Sequence, residues 1–548
     1  MTGTITGTIT GMTTGTTTWR PTTPALDTAG VWQLLRESAE RTPDAVLVRD
    51  ERRREVTYRE IRESAERVAA GLLAQGIRPG TVVSWQLPSR VETIVLFFAL
   101  SRLGAVQNPL IMMLREQEVG FIARQAGSRL LVVPSVFRGT VHGAMAAFVA
   151  ADQSGLEVLV VDRDLPEGDP GTLPPEPPRS GPDGRPPVRW LFYTSGTTAE
   201  PKGAQHTDQG LLAAADTFCR AVAPVPADRT ASLAPMAHVG GVLHVLSALA
   251  TGSSILITDV FDPASTPEQL GEQRVTLGGS GVPFIKAYLQ RQRQQPGTPM
   301  FPDVRAWLVG GSPRPPSFHT QVKTELGGVG VLSGYGLTEC PYLSWAAVTD
   351  DEADLISTEG RPPAGTEVVV VRPDGSRAES GEVGELRVRA PQLTVGYVDA
   401  ALDADAFDED GYFRTGDLAR IDARGYLTIT GRIKDVIIRN MENISAREVE
   451  DRLMDFPGLA EVAVIGLPDD ATGERVCAVV VPEPGRPVPT LAELCAHLAD
   501  RGLNPRKLPV QVEVVEALPR NAMGKVMKPQ LRSRVRDAAA LDVPEVLR

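Results

Sequence analysis

Tyr193-Thr194-Ser195-Gly196-Thr197-Thr198-Ala199-Glu200-Pro201-Lys202-Gly203 decides the reading of this chain. An apolar stretch, 188–193, has the look of a buried strand and runs into a hydroxyl- and glycine-rich loop holding one lysine. Loops of this kind turn backbone N–H groups, hydroxyl donors and a cation toward phosphate oxygens. The pattern GxxxxGK[ST] is absent, so this is a different phosphate loop from the Walker type. A solvent-exposed Ser/Thr turn is the bland alternative, and the Pro-Lys-Gly behind the loop weighs against it.

On both sides of the loop, strands alternate with helices. Upstream, 31–41, 58–75 and 91–103 read as helices, the second closed by Gly76, and 53–58, 81–87, 130–134 and 157–162 read as strands. This alternation predicts parallel βαβ units. The stretch 166–187 holds nine prolines and reads as an exposed linker without regular structure. Downstream, strands at 254–259, 304–309 and 328–332 predict a second β/α series. After Gly360, strands at 366–372, 384–389 and 425–430, separated by Pro-Asp-Gly-Ser and Asp-Ala-Arg-Gly turns, predict a mostly antiparallel unit. From Lys434 onward the pattern is α+β, with helices at 446–454 and 490–502 and strands at 459–466, 475–482 and 510–515. The expected fold class is α/β. A large N-terminal domain over 27–433 has several subdomains, two βα layered ones plus a β subdomain. A small α+β C-terminal domain covers 434–548.

Composition narrows the function classes. The chain has 548 residues, 42% hydrophobic and 23% charged, as expected of a soluble globular protein with three or four folding units. A net charge of −12 without a basic stripe argues against a nucleic-acid partner. Cys219, Cys340, Cys477 and Cys495 form no CxxC or Cys/His cluster, so zinc is not expected and reduced thiols in the cytoplasm are. The best apolar run, 94–100, is far short of the roughly 20 residues that span a bilayer, so no membrane partner is expected. Residues 1–18 contain ten Thr and four Gly. They lack the features of a signal peptide, and 1–26 is expected to be a disordered tail.

The quoted loop resembles the phosphate-binding signature of the acyl-adenylating superfamily, which includes acyl-CoA synthetases, adenylation domains of peptide synthetases and luciferases. Six further stretches follow in the family's order. Ala234-Pro235-Met236-Ala237-His238-Val239-Gly240-Gly241 resembles the acyl-pocket segment, and Gly310-Gly311-Ser312-Pro313 the turn under adenine. Gly334-Tyr335-Gly336-Leu337-Thr338-Glu339, Tyr412-Phe413-Arg414-Thr415-Gly416-Asp417 and Gly431-Arg432-Ile433-Lys434-Asp435 resemble the next three motifs. Pro519-Arg520-Asn521-Ala522-Met523-Gly524-Lys525 resembles the loop of the catalytic lysine. The resemblance spans roughly 31–531.

It implies ATP and Mg²⁺, with CoA as acceptor, and a mobile C-terminal domain. Thr194, Ser195, Gly196, Thr197, Thr198 and Lys202 are expected at the phosphates, Gly311 and Ser312 under adenine, and Gly334, Tyr335 and Gly336 beside it, with Tyr335 packed on the base. Thr338 is expected at the α-phosphate, Glu339 on Mg²⁺, Asp417 on the ribose and Arg432 near ribose or phosphate. Lys434 is the implied hinge, Lys525 the implied catalytic lysine, and His238 an implied gate between acyl pocket and thiol channel. The chemistry agrees independently. Carboxylate attack on a phosphate builds negative charge that cations stabilise, and a carboxylate can accept from both hydroxyls of a ribose. A lone His beside two glycines is otherwise a loop residue. His142, His206, His319 and His497 read as structural or surface groups.

Val239 stands where amino-acid-activating relatives carry an Asp, and a buried ammonium without a partner is costly. A plain small-molecule acid is therefore expected. The Gly240-Gly241 pair reads as space for an aryl or cyclic group. Val83-Ser84-Trp85-Gln86-Leu87-Pro88 and Leu103-Gly104-Ala105-Val106-Gln107-Asn108-Pro109 resemble the branch that includes cyclohexanecarboxylate-CoA ligases, pointing to an aryl, alicyclic or medium-chain acid. Two positions depart from the family: Ala199 replaces the loop's last glycine, and Met441 stands where a glycine usually lies beside the pantetheine path. Met441 keeps other acceptors open: a carrier protein, an amine, or diazotising chemistry on nitrite. A non-catalytic nucleotide-binding relative is the alternative of another class, disfavoured by intact Thr338, Glu339, Asp417, Arg432 and Lys525.

Overall fold

The structure, a computed structural model, describes residues 20–194, 200–315, 317–440, 442–469, 471–520 and 526–541. The expected α/β class is found, with four sheets. The first has six strands in the order Glu157–Val160, Leu130–Val133, Val82–Trp85, Val106–Pro109, Val188–Thr194, Lys202–Thr207, parallel except for the last pair. The second has eight, from Cys340–Trp345 and Val331–Leu337 at one edge to Val46–Arg49 and Glu55–Thr57 at the other, parallel through its centre and antiparallel in both edge pairs. The third is the expected antiparallel sheet, Glu367–Val371, Gly384–Arg389, Phe413–Ile421 and Leu427–Arg432. The fourth holds the five C-terminal strands.

Local sequence explains the helices. Thr57 and Glu60 form a capping box at the head of Tyr58–Ala74, satisfying two otherwise orphaned N–H groups. Val91–Leu103 buries every residue but Glu92 and stops at Gly104, whose φ of 67° is the left-handed cap that glycine supplies. Burying side chains such as Phe97 and Phe98 contributes about 1.5–3 kcal/mol each. No helix among the described residues is long and apolar enough to cross a membrane.

Three expectations are corrected. The proline-rich stretch does not separate two β/α series, because Val188–Thr194 and Lys202–Thr207 close the first sheet whereas Val46–Arg49 and Glu55–Thr57 belong to the second. Nor is it a loose linker. Glu176 accepts from the Trp32 indole at 2.9 Å, the Pro174 carbonyl accepts from Arg102 at 2.7 Å, and Gly168 lies so close to Ala70 that a Cβ there would be 2.8 Å from backbone. Proline removes donors but leaves carbonyls, and these serve as acceptors for the helices beneath. Finally, part of the expected tail is docked: both Thr22 and Thr23 donate to the Asp216 carboxylate and Leu26 is buried. The rest of that tail, 1–19, lies outside the described residues.

The apolar clusters divide cleanly. Two are built only from residues between Ile437 and Val535, and the other clusters only from residues up to Ile429.

Candidate active site

Three sheets carry most of the expected residues that the structure describes. The phosphate loop joins antiparallel strands at the pair Thr194 and Lys202. Ser195, Gly196, Thr197, Thr198 and Ala199 lie outside the described residues. Beyond the loop the chain forms a strand that sequence reading missed, Lys202–Thr207. Gly203 is required there, because a Cβ would sit 2.6 Å from the Tyr193 ring. This outgoing strand pairs with the segment 394–398: Gln205 N donates to the Gly396 carbonyl, Val395 N to the Gln205 carbonyl and Val398 N to the Gly203 carbonyl.

Thr338 and Glu339 are the two-residue connection between Val331–Leu337 and Cys340–Trp345. The hairpin needs its glycines, since a Cβ on Gly334 would meet the Trp345 ring at 2.5 Å and one on Gly336 the Tyr342 N at 2.6 Å. Glu339 is buried. Its carbonyl accepts from Thr394 N at 2.7 Å and its Oε1 accepts from the Tyr397 hydroxyl at 2.7 Å. The Thr338 carbonyl is 2.9 Å from His206 Nε2. Burial pushes His206 down to about 4, so the neutral ring donates through Nε2. His206 thus has the structural role expected of it, and that role is to hold the Thr338 carbonyl. His142, His319 and His497 also have such roles, bonded to Gln86, the Val331 carbonyl and the Arg452 carbonyl.

Asp417 faces Arg432 across the third sheet, Oδ1 to Nε 2.9 Å, and its Oδ2 accepts from the Tyr335 hydroxyl at 2.6 Å. Burial, and next the Asp417 charge, hold the Tyr335 proton well above the ordinary phenol range, so Tyr335 remains a donor. Tyr335, Asp417 and Arg432 thus meet in one hydrogen-bonded cluster. Gly311, with φ of 76°, and Ser312 form the bend after strand Ala306–Gly310, which pairs with the strand carrying Gly334. Lys202 Nζ lies 5.6 Å from the centre of the Tyr397 ring.

His238 caps helix Val239–Thr251, its Nδ1 accepting from Gly240 N at 3.1 Å. Swinging the ring as a gate breaks a cap worth about 1 kcal/mol. Burial pushes it down to about 4, and likewise His244, which bonds Ser232 Oγ at 3.1 Å. The reading of Gly240-Gly241 as open space is corrected at Gly241: a Cβ there would be 2.5 Å from the Pro235 carbonyl, so the glycine serves close packing. A Cβ on Gly240 would be 3.7 Å from the hydroxyl of Tyr342. That tyrosine has a left-handed φ of 48° and packs against Phe218 and Trp345. Val239 is buried and apolar.

Lys434 lies in the short turn Ile433–Asp435 directly after Arg432; burial and then the Arg432 charge lower its pKa. Met441 and Lys525 lie outside the described residues. Sequence reading missed Tyr397, His244 and Tyr342, and left the partner of His206 unidentified. Only the Gly396-Tyr397 pair carries a local signal, an aromatic after a glycine whose φ is 137°.

The site can hold a nucleotide through oxygen and nitrogen donors from all three sheets. Comparisons with known proteins agree. The family model described as AMP-binding enzyme matches residues 35–398, and that described as AMP-binding enzyme C-terminal domain matches 448–525. A medium-chain fatty-acid–CoA ligase of Escherichia coli is 30% identical over 530 residues, covering 94% of this chain and 92% of its own. A salicyl-AMP ligase / salicyl-S-ArCP synthetase of Mycobacterium tuberculosis is 34% identical over 537 residues, covering 91% of each. The solved O-succinylbenzoate coenzyme A synthetase of Bacillus subtilis, in complex with ATP and magnesium ion, superposes with a TM-score of 0.78 at 26% identity, covering 91% of this chain and 99% of that one. Matched over most of its length by both sequence and structure, the chain belongs to the AMP-binding enzyme family.

Proposed function

We propose that the protein is an ATP-dependent, AMP-forming ligase that activates a carboxylic acid and passes the acyl group to the thiol of CoA. A carboxylate oxygen of the acid bonds to the α-phosphorus as the bond to the β-phosphate bridging oxygen breaks, and pyrophosphate leaves. The thiol, losing its proton, then attacks the acyl carbon and AMP leaves. The observation that carries this reading is the meeting of the Asp417, Arg432 and Tyr335 cluster with Glu339 and the phosphate-loop strands.

Within the site, Asp417 and Arg432 orient the ribose, Tyr335 flanks the base and the Thr338 hydroxyl meets the α-phosphate. Lys202 and the loop 194–198 hold the outer phosphates, and Lys525 supplies a cation at the reacting phosphate. Glu339 suits a magnesium ion. Its Oε2 accepts no hydrogen bond from the described residues, and those residues contain no cluster of three or more metal-binding groups. One carboxylate oxygen completed by phosphate oxygens is how Mg²⁺ is commonly bound. When bound, the ion neutralises charge on the phosphates.

The acid is a plain carboxylic acid without an α-ammonium, since buried Val239 offers such a group no partner. Its aryl, alicyclic or medium-chain body lies near Phe218 and Tyr342. Residues 434–548 form the mobile body, pivoting at Lys434. Separate apolar cores and a contact made of polar bonds, such as Arg447 with Glu359 and Ser317 with Asp455 at 2.6 Å, support that division. Such interfaces permit domain motion. The four free cysteines suit a reducing compartment, and we place the enzyme in the cytoplasm. A carrier-protein thiol is the second reading for the acceptor, favoured by the 34% identity to a synthetase whose name includes such a carrier. A pyrophosphate-release screen of carboxylic acids and nitrite, with and without CoA, tests the proposal. Release that needs both ATP and an organic acid, with acyl-CoA formed, is expected; absence of acid-dependent release overturns it.

A further inference from the structure

Glu339 is held at more points than a turn residue needs. Its carbonyl is bonded by Thr394 N, the preceding carbonyl by His206, and one carboxylate oxygen by Tyr397. Tyr397 is itself fixed along its whole length. Its N donates to Asp403 Oδ1 at 2.9 Å, its carbonyl accepts from Gln205 Nε2 at 2.7 Å, and its backbone bridges to Ala204. It is buried, and its ring lies under Lys202. Both His206 and the partners of Tyr397 on this side stand on the strand that leaves the phosphate loop.

This arrangement has a chemical consequence. A carboxylate has two equivalent oxygens and rotates about its last bond. A phenol bonded to Oε1 removes that freedom and leaves Oε2 without a hydrogen bond from the described residues. It does so without a positive charge, so the full attraction for a cation is kept. An Arg or Lys in the same place would orient the group but cancel that attraction. Resting on the ligase reading above, we propose that Tyr397 is a positioning residue for the metal carboxylate, holding Glu339 Oε1 so that Oε2 is presented to Mg²⁺, with His206 fixing the same turn through the Thr338 carbonyl.

The test is ATP binding by titration calorimetry, once in Mg²⁺ and once in EDTA, in the full-length enzyme. Tyr397→Phe keeps the ring and the backbone bonds and loses only the hydroxyl. We expect the gain in ATP affinity given by Mg²⁺ to fall about tenfold, as for other partners that orient metal ligands, with the EDTA affinity within about twofold of the parent. His206→Leu removes the second anchor and is expected to lower the same gain about threefold; it decides the matter if Tyr397→Phe does not fold. Parental Mg²⁺ gain in a folded Tyr397→Phe enzyme, or in His206→Leu where the first does not fold, overturns the proposal. Glu339→Gln separates the two levels. If it too keeps the parental gain, the assignment of Glu339 to the metal has failed, whereas the ligase reading fails only if acid-dependent pyrophosphate release is absent from the parent enzyme.

Discussion

Acid should loosen the N-terminal body through His244, and the size of the effect follows from its surroundings. The ring is buried, bonds Ser232 Oγ and lies 5.7 Å from the Phe218 ring. Burial first, and the nearby His238 second, push it down to about 4. In the unfolded chain an imidazole titrates near 6.5. Between these values the unfolded chain binds the proton and the folded one refuses it. Stability from this group is thus complete above about pH 6.5 and is lost as pH falls toward 4. One such ring costs about 2 kcal/mol at pH 5 and about 3 kcal/mol below pH 4. His244→Gln keeps a polar group near Ser232 and removes the titration. Urea unfolding at pH 7.5 and pH 5.0 reads the difference by tryptophan fluorescence, because all six tryptophans precede residue 346 and so report on this body alone. The parent should lose about 2 kcal/mol more than the variant on acidification. Parallel losses, agreeing within about 0.5 kcal/mol, refute the claim that the fold keeps His244 neutral.

Two further outcomes are expected. Gly241→Ala places a Cβ 2.5 Å from the Pro235 carbonyl and 2.9 Å from Met236 Cα, and such overpacking should cost about 1–3 kcal/mol; an unchanged melting temperature contradicts the close-packing role. Lys525→Ala should cut acid-dependent pyrophosphate release about 100-fold or more while sparing thioester formation from a supplied acyl-adenylate, and full adenylation activity in that variant removes Lys525 from the site.

What was legible in the sequence was contiguous. The helix Val91–Leu103 announces itself by an unbroken apolar run ending in glycine, and Gly384–Arg389 by alternation between two turns. Candidate site residues inside motifs were legible for the same reason: Thr338, Glu339, Asp417 and Arg432 sit within short runs whose neighbours single them out. The missed parts depend on partners far along the chain. His206 meets a carbonyl 132 positions away and Tyr397 a carboxylate 58 positions away, and neither residue's flanks contain that information. Short strands such as Leu277–Gly279 and Lys202–Thr207 escaped because their sequences, rich in glycine or polar groups, lack β patterning; sheet neighbours on either side impose the extended form. The proline-rich stretch misled for a related reason. Its composition forbids hydrogen-bonded elements but not docking, and docking is decided by which donors lie beneath.

The placement of the missed residues explains how the site divides its work. The outgoing strand carries Lys202 at the loop, Gln205 against the 394–398 segment and His206 against the Thr338 carbonyl. Lys202 and the proposed metal carboxylate, Glu339, are thereby referenced to one strand whose bonds among the described residues lie within the N-terminal body. The ribose side is built differently. Asp417 is fixed by its sheet, but Arg432 ends the last strand of that sheet and is two residues from Lys434. Under the proposed rotation, the surroundings of Arg432 change while Glu339, Tyr397 and His206 stay in place. Under that proposal the hold on Glu339 is the same at both stages, whereas Lys525, carried by the C-terminal body, and Arg432, beside the hinge, are where the position of that body would be felt at the nucleotide.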